Sequence, residues 1–177
     1  MKNSAEIYLH LTDEEWPFAG ITHTRQIARG IVFDDAGFFY FVQVDRDDDF
    51  GKATLIETAG GGVEEGEDVS TALLRELKEE LGVTAEIACK IGVVEDEYRL
   101  IHRHNVNHYF LCKATAFGEK NLTQDEQNRF RLSTQKLTYD QAVCAYEKGR
   151  ETKLGRLIYN REMPVLQRAK EMLNAVK

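Results

Sequence analysis

Three consecutive glycines, Gly60-Gly61-Gly62, stand six residues ahead of a segment whose two ends are both marked as helix ends, and this pairing constrains the chain more than any other feature. The Asp68 side chain can cap a helix N-terminus, and Gly82 suits the left-handed turn that follows a helix C-terminus. Each helical residue advances about 100°, so Glu76, Glu79 and Glu80 (i, i+3, i+4) share one face. Leu73, Leu74, Leu77 and Leu81 fall on another face, about 120° away by the same count. The apolar face needs a sheet or helix to pack on, while the other gathers three carboxylates. Like charges at this spacing repel by roughly 0.2–0.5 kcal/mol per pair. A hard divalent cation turns that cost into a gain. The glycines upstream let the backbone come close to a ligand or metal.

The surrounding segments read mainly as strands. Residues 26–33 and 38–44 form a predicted hairpin about the turn at Asp34-Asp35-Ala36-Gly37, and the acidic run at 45–49 reads as a solvated loop. Residues 54–57 make a short strand leading into the glycines, and alternation resumes at 84–94, 106–115 and 130–137. Thr138 is a candidate cap for a helix reaching about Lys148, and apolar spacing predicts an amphipathic C-terminal helix over about 160–176. Residues 1–24 read as an arm or edge strand carrying Ile7, Leu9 and Leu11. Strands on both sides of a central helix, closed by later helices, give an α+β class, an α/β/α sandwich with a mixed sheet.

Composition narrows the partners. The 177 residues suit one core, and no apolar run approaches the ~18–20 residues that span a bilayer. The N-terminus carries acids where a signal peptide needs its apolar stretch, so the expected location is cytoplasmic, away from membranes. A net charge of −7 argues against binding a nucleic-acid polymer through its backbone. Cys89, Cys112 and Cys144 are widely spaced and read as free thiols. His102, His104 and His108 follow the alternation of an exposed hairpin, and no Cys or carboxylate sits at companion spacing to complete a tetrahedral set.

Gly61, five residues, Glu67, seven residues, then Arg75-Glu76-Leu77-x-Glu79-Glu80-x-Gly82-Val83 resembles the Nudix box at every fixed position over residues 61–83. The wider pattern from about Arg25 to Leu137 also looks like a Nudix domain, which makes residues 25–177 the expected Nudix hydrolase domain with an additional C-terminal helix. The resemblance implies a pyrophosphohydrolase of the MutT-like kind that cleaves a nucleoside diphosphate linked to another moiety by water attack on phosphorus. It implies Mg2+, with Mn2+ as a substitute. Magnesium needs oxygen ligands in near-octahedral geometry.

Carried over position by position, Glu76, Glu79, Glu80 and the Gly61 carbonyl are the implied metal ligands, with Glu76 also a base-side carboxylate. Arg75, one turn before Glu79, is implied to orient that carboxylate, and Glu67 to support the loop or a second metal. A further acid from a later loop is expected. Glu126 is preferred, with Asp125 and the Glu95-Asp96-Glu97 segment, read as a turn, as alternatives. Arg29, Tyr40 and Tyr98 are candidate substrate-binding residues, although Trp16, Phe38, Tyr40 and Phe41 also suit core packing. The only prolines are Pro17 and Pro164, so the proline of many ADP-ribose hydrolases is missing; Tyr98 lies one residue short of the tyrosine associated with dinucleoside polyphosphate hydrolases. Nucleoside triphosphate, dinucleoside polyphosphate and nucleotide sugar all stay open. A catalytically silent nucleotide sensor is the rival reading, and the C-terminal helix offers a surface for a homodimer.

Overall fold

The computed structural model describes residues 5–175. Residues 1–4 of the arm, and Val176 at the end of the expected C-terminal helix, lie outside them. The strands are β1 (Ile7–Leu11), β2 (His23–Phe33), β3 (Phe39–Asp48), β4 (Gly51–Glu57), β5 (Ala59–Gly62), β6 (Val83–Tyr98), β7 (Arg103–Phe117) and β8 (Ser133–Leu137). The α-helices are α1 (Val69–Leu81), α2 (Gln124–Asn128), α3 (Tyr139–Gly149) and α4 (Lys153–Ala175). One mixed sheet runs β1-β6-β7-β2-β3-β4, with β5 paired to β2 and β8 to β3.

The two caps of α1 form as their side chains dictate. The Asp68 carboxylate accepts from the backbone N–H groups of Ser70 and Thr71 at 3.0 and 3.1 Å. Gly82 takes a left-handed φ of 68° and closes the helix onto the Leu77 and Lys78 carbonyls. Leu73, Leu77 and Leu81 pack on one face of the sheet against Ala28, Val32, Val42 and Phe110. Leu74 does not share that face: it is 39 % exposed, because α1 lies tangent to the sheet and only its inner stripe is covered.

The opposite face carries α3 and α4. Leu154, Ile158, Val165 and Leu166 of α4 join Ala142 and Tyr146 of α3 over Ile31, Phe39, Phe41, Ile91 and Tyr109. The sheet is therefore the middle layer of an α/β/α sandwich. At its centre β2 and β7 run parallel through eleven residue pairs, from His23–Arg103 to Phe33–Lys113. β1 adds an edge parallel to β6.

Three sequence expectations need correction. The acidic run at 45–49 is no loop: Asp45 to Asp48 continue β3 and pair with β4. Thr54 donates to Asp45 at 2.7 Å and Arg46 forks onto Asp48 at 2.8 and 3.0 Å, which removes the repulsion that would have favoured a loop. Glu95, Asp96 and Glu97 likewise belong to β6 rather than a turn, because β6 stays paired with β7 out to Tyr98–Arg103. The C-terminal helix begins at Lys153, about two turns before residue 160, since Leu154, Leu157 and Ile158 already bury at helical spacing.

Candidate active site

The end of α1, strand β5 and the loop before β8 meet around a cavity of about 420 Å3. Glu76 and Glu80, Gly60 and Gly61, and Asp125 and Glu126 form one wall. The two β5 glycines permit this closeness, and a Cβ at Gly61 would overlap the Glu76 carboxylate. Arg25 and Arg29 of β2, Tyr98 and Arg103 at the β6–β7 end, and Arg46, Phe50 and Phe130 complete the lining.

Arg75 organises the carboxylates from behind. Its Nε and Nη2 fork onto Glu67 at 3.0 Å each, Nη1 donates to Glu76 at 2.8 Å and to Glu79 at 3.3 Å, and Nη2 reaches the Gly62 carbonyl at 3.2 Å. A planar guanidinium with five donors in a fixed fork is suited to hold three carboxylates and a loop carbonyl together. The Glu67 hydrogen bonds lead in raising the Arg75 pKa, and in return Arg75 draws Glu67 below the usual carboxylate range.

Burial separates the acids. Loss of water pushes the Glu76 carboxyl up, against the pull of Arg75. Glu80 is more enclosed, and burial pushes it up to about 8 although the Gly60 N–H donates to it at 2.8 Å. Nearby Glu76 and Glu126 raise it further, and Arg29 opposes them. Two enclosed carboxylates with raised values, close to a third acid in one cavity, mark a candidate cation site. Every donor atom on this wall is oxygen, the chemistry magnesium requires, so the residues present fit a hard dication. Glu79 does not line the cavity itself; its side chain, one-third exposed, sits at the edge on Arg75.

Glu126 lines the cavity while closing a capping box with Thr123, whose N–H donates to it at 2.7 Å. Arg29 is buried and committed: it donates to Asn107 at 3.0 Å and to the Thr58 carbonyl at 3.2 Å. The ring of Tyr98 reaches the cavity, but its hydroxyl accepts from Arg161 at 2.6 Å. Tyr40 is not brought to the cavity. Its side chain packs with Phe117 on the α1 side and its hydroxyl donates to Asp34 at 2.8 Å; it shares a strand face with Val42, Val44 and Arg46, which do line the cavity, but stands beyond them along β3. Among the later acids, Glu95 and Glu97 do not line the cavity either, and Asp96 pairs with Arg161 at 3.2 Å under α4.

Arg25, Arg46 and Arg103 were not singled out from the sequence. The signal for Arg25 was available, since Arg25, Ile27 and Arg29 recur at the strand period of two. Arg103 carries no such signal. Its buried Nε has no hydrogen-bond partner, and neither Arg25 nor Arg103 has a carboxylate within ion-pair reach among the described residues.

The geometry agrees with the comparisons. A family model described as the NUDIX domain matches residues 23–151. No curated protein sequence matches. The fold is similar to the solution structure of the E. coli ORF135 protein, at a TM-score of 0.58 and 21% identity over 92% of this chain and 98% of that one. It is also similar to a NUDIX hydrolase from Nitrosomonas europaea, at 0.62 and 14% identity over 88% and 91%. A MutT NUDIX hydrolase from Burkholderia pseudomallei gives 0.53 and 25% identity over 68% and 87%. With its box complete and its acids gathered on one cavity wall, the chain belongs to the NUDIX family of hydrolases.

Proposed function

We propose that this chain hydrolyses a nucleoside diphosphate linked to another group in a magnesium-dependent reaction at the cavity between α1 and the β6–β7 end. One observation supports this above the rest: one cavity gathers the box acids Glu76 and Glu80 with Arg25 and Arg103, neither of which pairs with a carboxylate among the described residues. A metal-bound polyphosphate suits such a mixed lining. Glu76, Glu80 and the Gly61 carbonyl would hold the ion, with Glu79 joining from the cavity edge. A bound magnesium supplies charge neutralisation on the phosphate oxygens and acidifies water.

The chain's own groups do the remainder. Arg75 keeps the carboxylates oriented through its five contacts. Arg25 and Arg103 grip phosphate oxygens of the bound substrate with charge-assisted hydrogen bonds. Glu126, in the same cavity lining as Glu76 and Glu80, is the carboxylate that takes the proton of the attacking water. Phe50 and Phe130, each within 5.6 Å of the Arg46 guanidinium, offer a rim on which a planar group stacks. Cleavage needs no covalent intermediate, and among the described residues no Ser or Cys lines the cavity.

A phosphate-release screen over nucleoside triphosphates, dinucleoside polyphosphates and nucleotide sugars, with magnesium and with chelator, tests this reading. Turnover should require magnesium, and Glu79→Gln should lower kcat roughly 100-fold with the fold unchanged by circular dichroism. Tight nucleotide binding without turnover across the whole panel would overturn it in favour of a sensor.

A further inference from the structure

Outside the cavity, strands β1, β6 and β7 lie side by side and direct three metal-ligating side chains at one point. His10 stands opposite Glu95 in the β1–β6 register, and His104 stands opposite Glu97 in the β6–β7 register, two residues along the same face. His104 Nε2 lies 3.0 Å from Glu95 Oε2, and His10 Nδ1 lies 3.8 Å from that same oxygen. One ligand atom from each residue falls within 4.8 Å of the others. Glu95 alternates with Asp96 and Tyr98, which face Arg161 of α4, so this cluster occupies the opposite face of the sheet.

We propose that His10, Glu95 and His104 form a second cation site, one that takes a transition-metal dication of the zinc class. Two imidazole nitrogens and one carboxylate oxygen are a zinc-type donor set, with a fourth position left to water. Magnesium prefers oxygen alone, so the donor chemistry separates this site from the box acids. The ligands ride on paired strands, which hold a site more firmly than loops do. Supporting contacts are present as well. The Tyr8 hydroxyl donates to Glu95 Oε1, which leaves Oε2 for the imidazoles. Thr24 Oγ1 lies 3.4 Å from His104 Nδ1, a partner that can accept a hydrogen bond from the Nδ1 proton when Nε2 binds an ion. Tetrahedral zinc with bonds of about 2.0–2.1 Å needs ligand atoms about 3.3 Å apart. Only the His10 ring, whose side chain is 59% exposed, has to swing to meet this. A bound ion would staple the N-terminal strand to the β6–β7 pair.

Calorimetric titration of the full chain with zinc chloride, in excess magnesium, tests the site. One equivalent of zinc should bind, and the ring resonances of His10 and His104 should move together by NMR. Binding should persist in Glu79→Gln, disappear in His104→Ala and in His10→Ala, and weaken about 10–100-fold in Tyr8→Phe. Both His variants should retain wild-type circular dichroism and magnesium-dependent turnover; if His104→Ala misfolds, the exposed His10→Ala and His104→Gln carry the test. Zinc uptake that survives both His substitutions, that vanishes in Glu79→Gln, or that fails altogether at micromolar free zinc overturns the proposal.

Discussion

Glu80 illustrates how the site opposes the stability of its own fold. The Gly60 N–H fixes one of its oxygens, yet enclosure pushes its carboxyl from 4.5 to about 8. A folded value above the unfolded one means that the native state holds the proton more tightly. The resulting stability is complete below about pH 4.5 and is lost as the pH rises through about 8. Glu80→Gln keeps the acceptor for Gly60 and removes the buried charge. In chelator, it should raise Tm by roughly 5 °C at pH 9 and by little at pH 5, while abolishing magnesium-dependent turnover. Equal melting curves at both values would show that the carboxylate is not enclosed. The sharing of one face by Glu76, Glu79 and Glu80 was legible, since helical spacing alone implies it. The enclosure of Glu80 was not, because it depends on contacts with β5 and β2.

At the scale of elements, α4 does more than close the core. Its Glu162 is fully buried and accepts from the Thr58 N–H at 2.8 Å, the Thr58 hydroxyl at 2.7 Å and the Tyr146 hydroxyl at 2.5 Å. Thr58 leads directly into β5, so the last helix holds the strand that carries Gly60 and Gly61. Arg161 beside it donates to Tyr98, Tyr109, Asp96, Glu57 and Glu162 between 2.6 and 3.3 Å. Glu162→Ala would leave Arg29 and Arg161 short of a counter-charge in the interior and should cost about 3–5 kcal/mol in chemical denaturation, with Glu162→Gln losing less. A denaturation midpoint unchanged in Glu162→Ala would show that the network does not hold β5. Periodicity revealed α4 as an amphipathic helix, because its apolar stripe repeats locally. It could not reveal the partners that Arg161 and Glu162 find in and between the strands, which lie 52 to 104 residues away. Composition misled at the acidic hairpin for a related reason: Thr54 and Arg46 satisfy those carboxylates only once β3 and β4 pair.

Over the whole molecule, a net charge of −7 coexists with a cavity that carries four arginines. Long-range attraction for a polyphosphate is therefore local to the cavity, and salt screens it within about 8–10 Å. KM should rise with ionic strength, and Arg103→Ala should raise KM about 10–100-fold with kcat largely retained, consistent with a lost charge-assisted contact. A kcat loss at unchanged KM would instead place Arg103 at the reacting phosphate. The sandwich itself was legible from strands flanking a capped helix, but not the parallel partnership of β2 with β7, since nothing local marks which strand lies beside which. That partnership joins residues 80 apart (103 − 23), with the capped helix and all of β6 translated in between. On the ribosome, the middle of the sheet must wait until the chain has emerged past Phe117, and assembly of this order runs in milliseconds to seconds rather than microseconds. Synthesis that stalls before β7 leaves β2 with a bare side, open to a stranger's strand instead of its own.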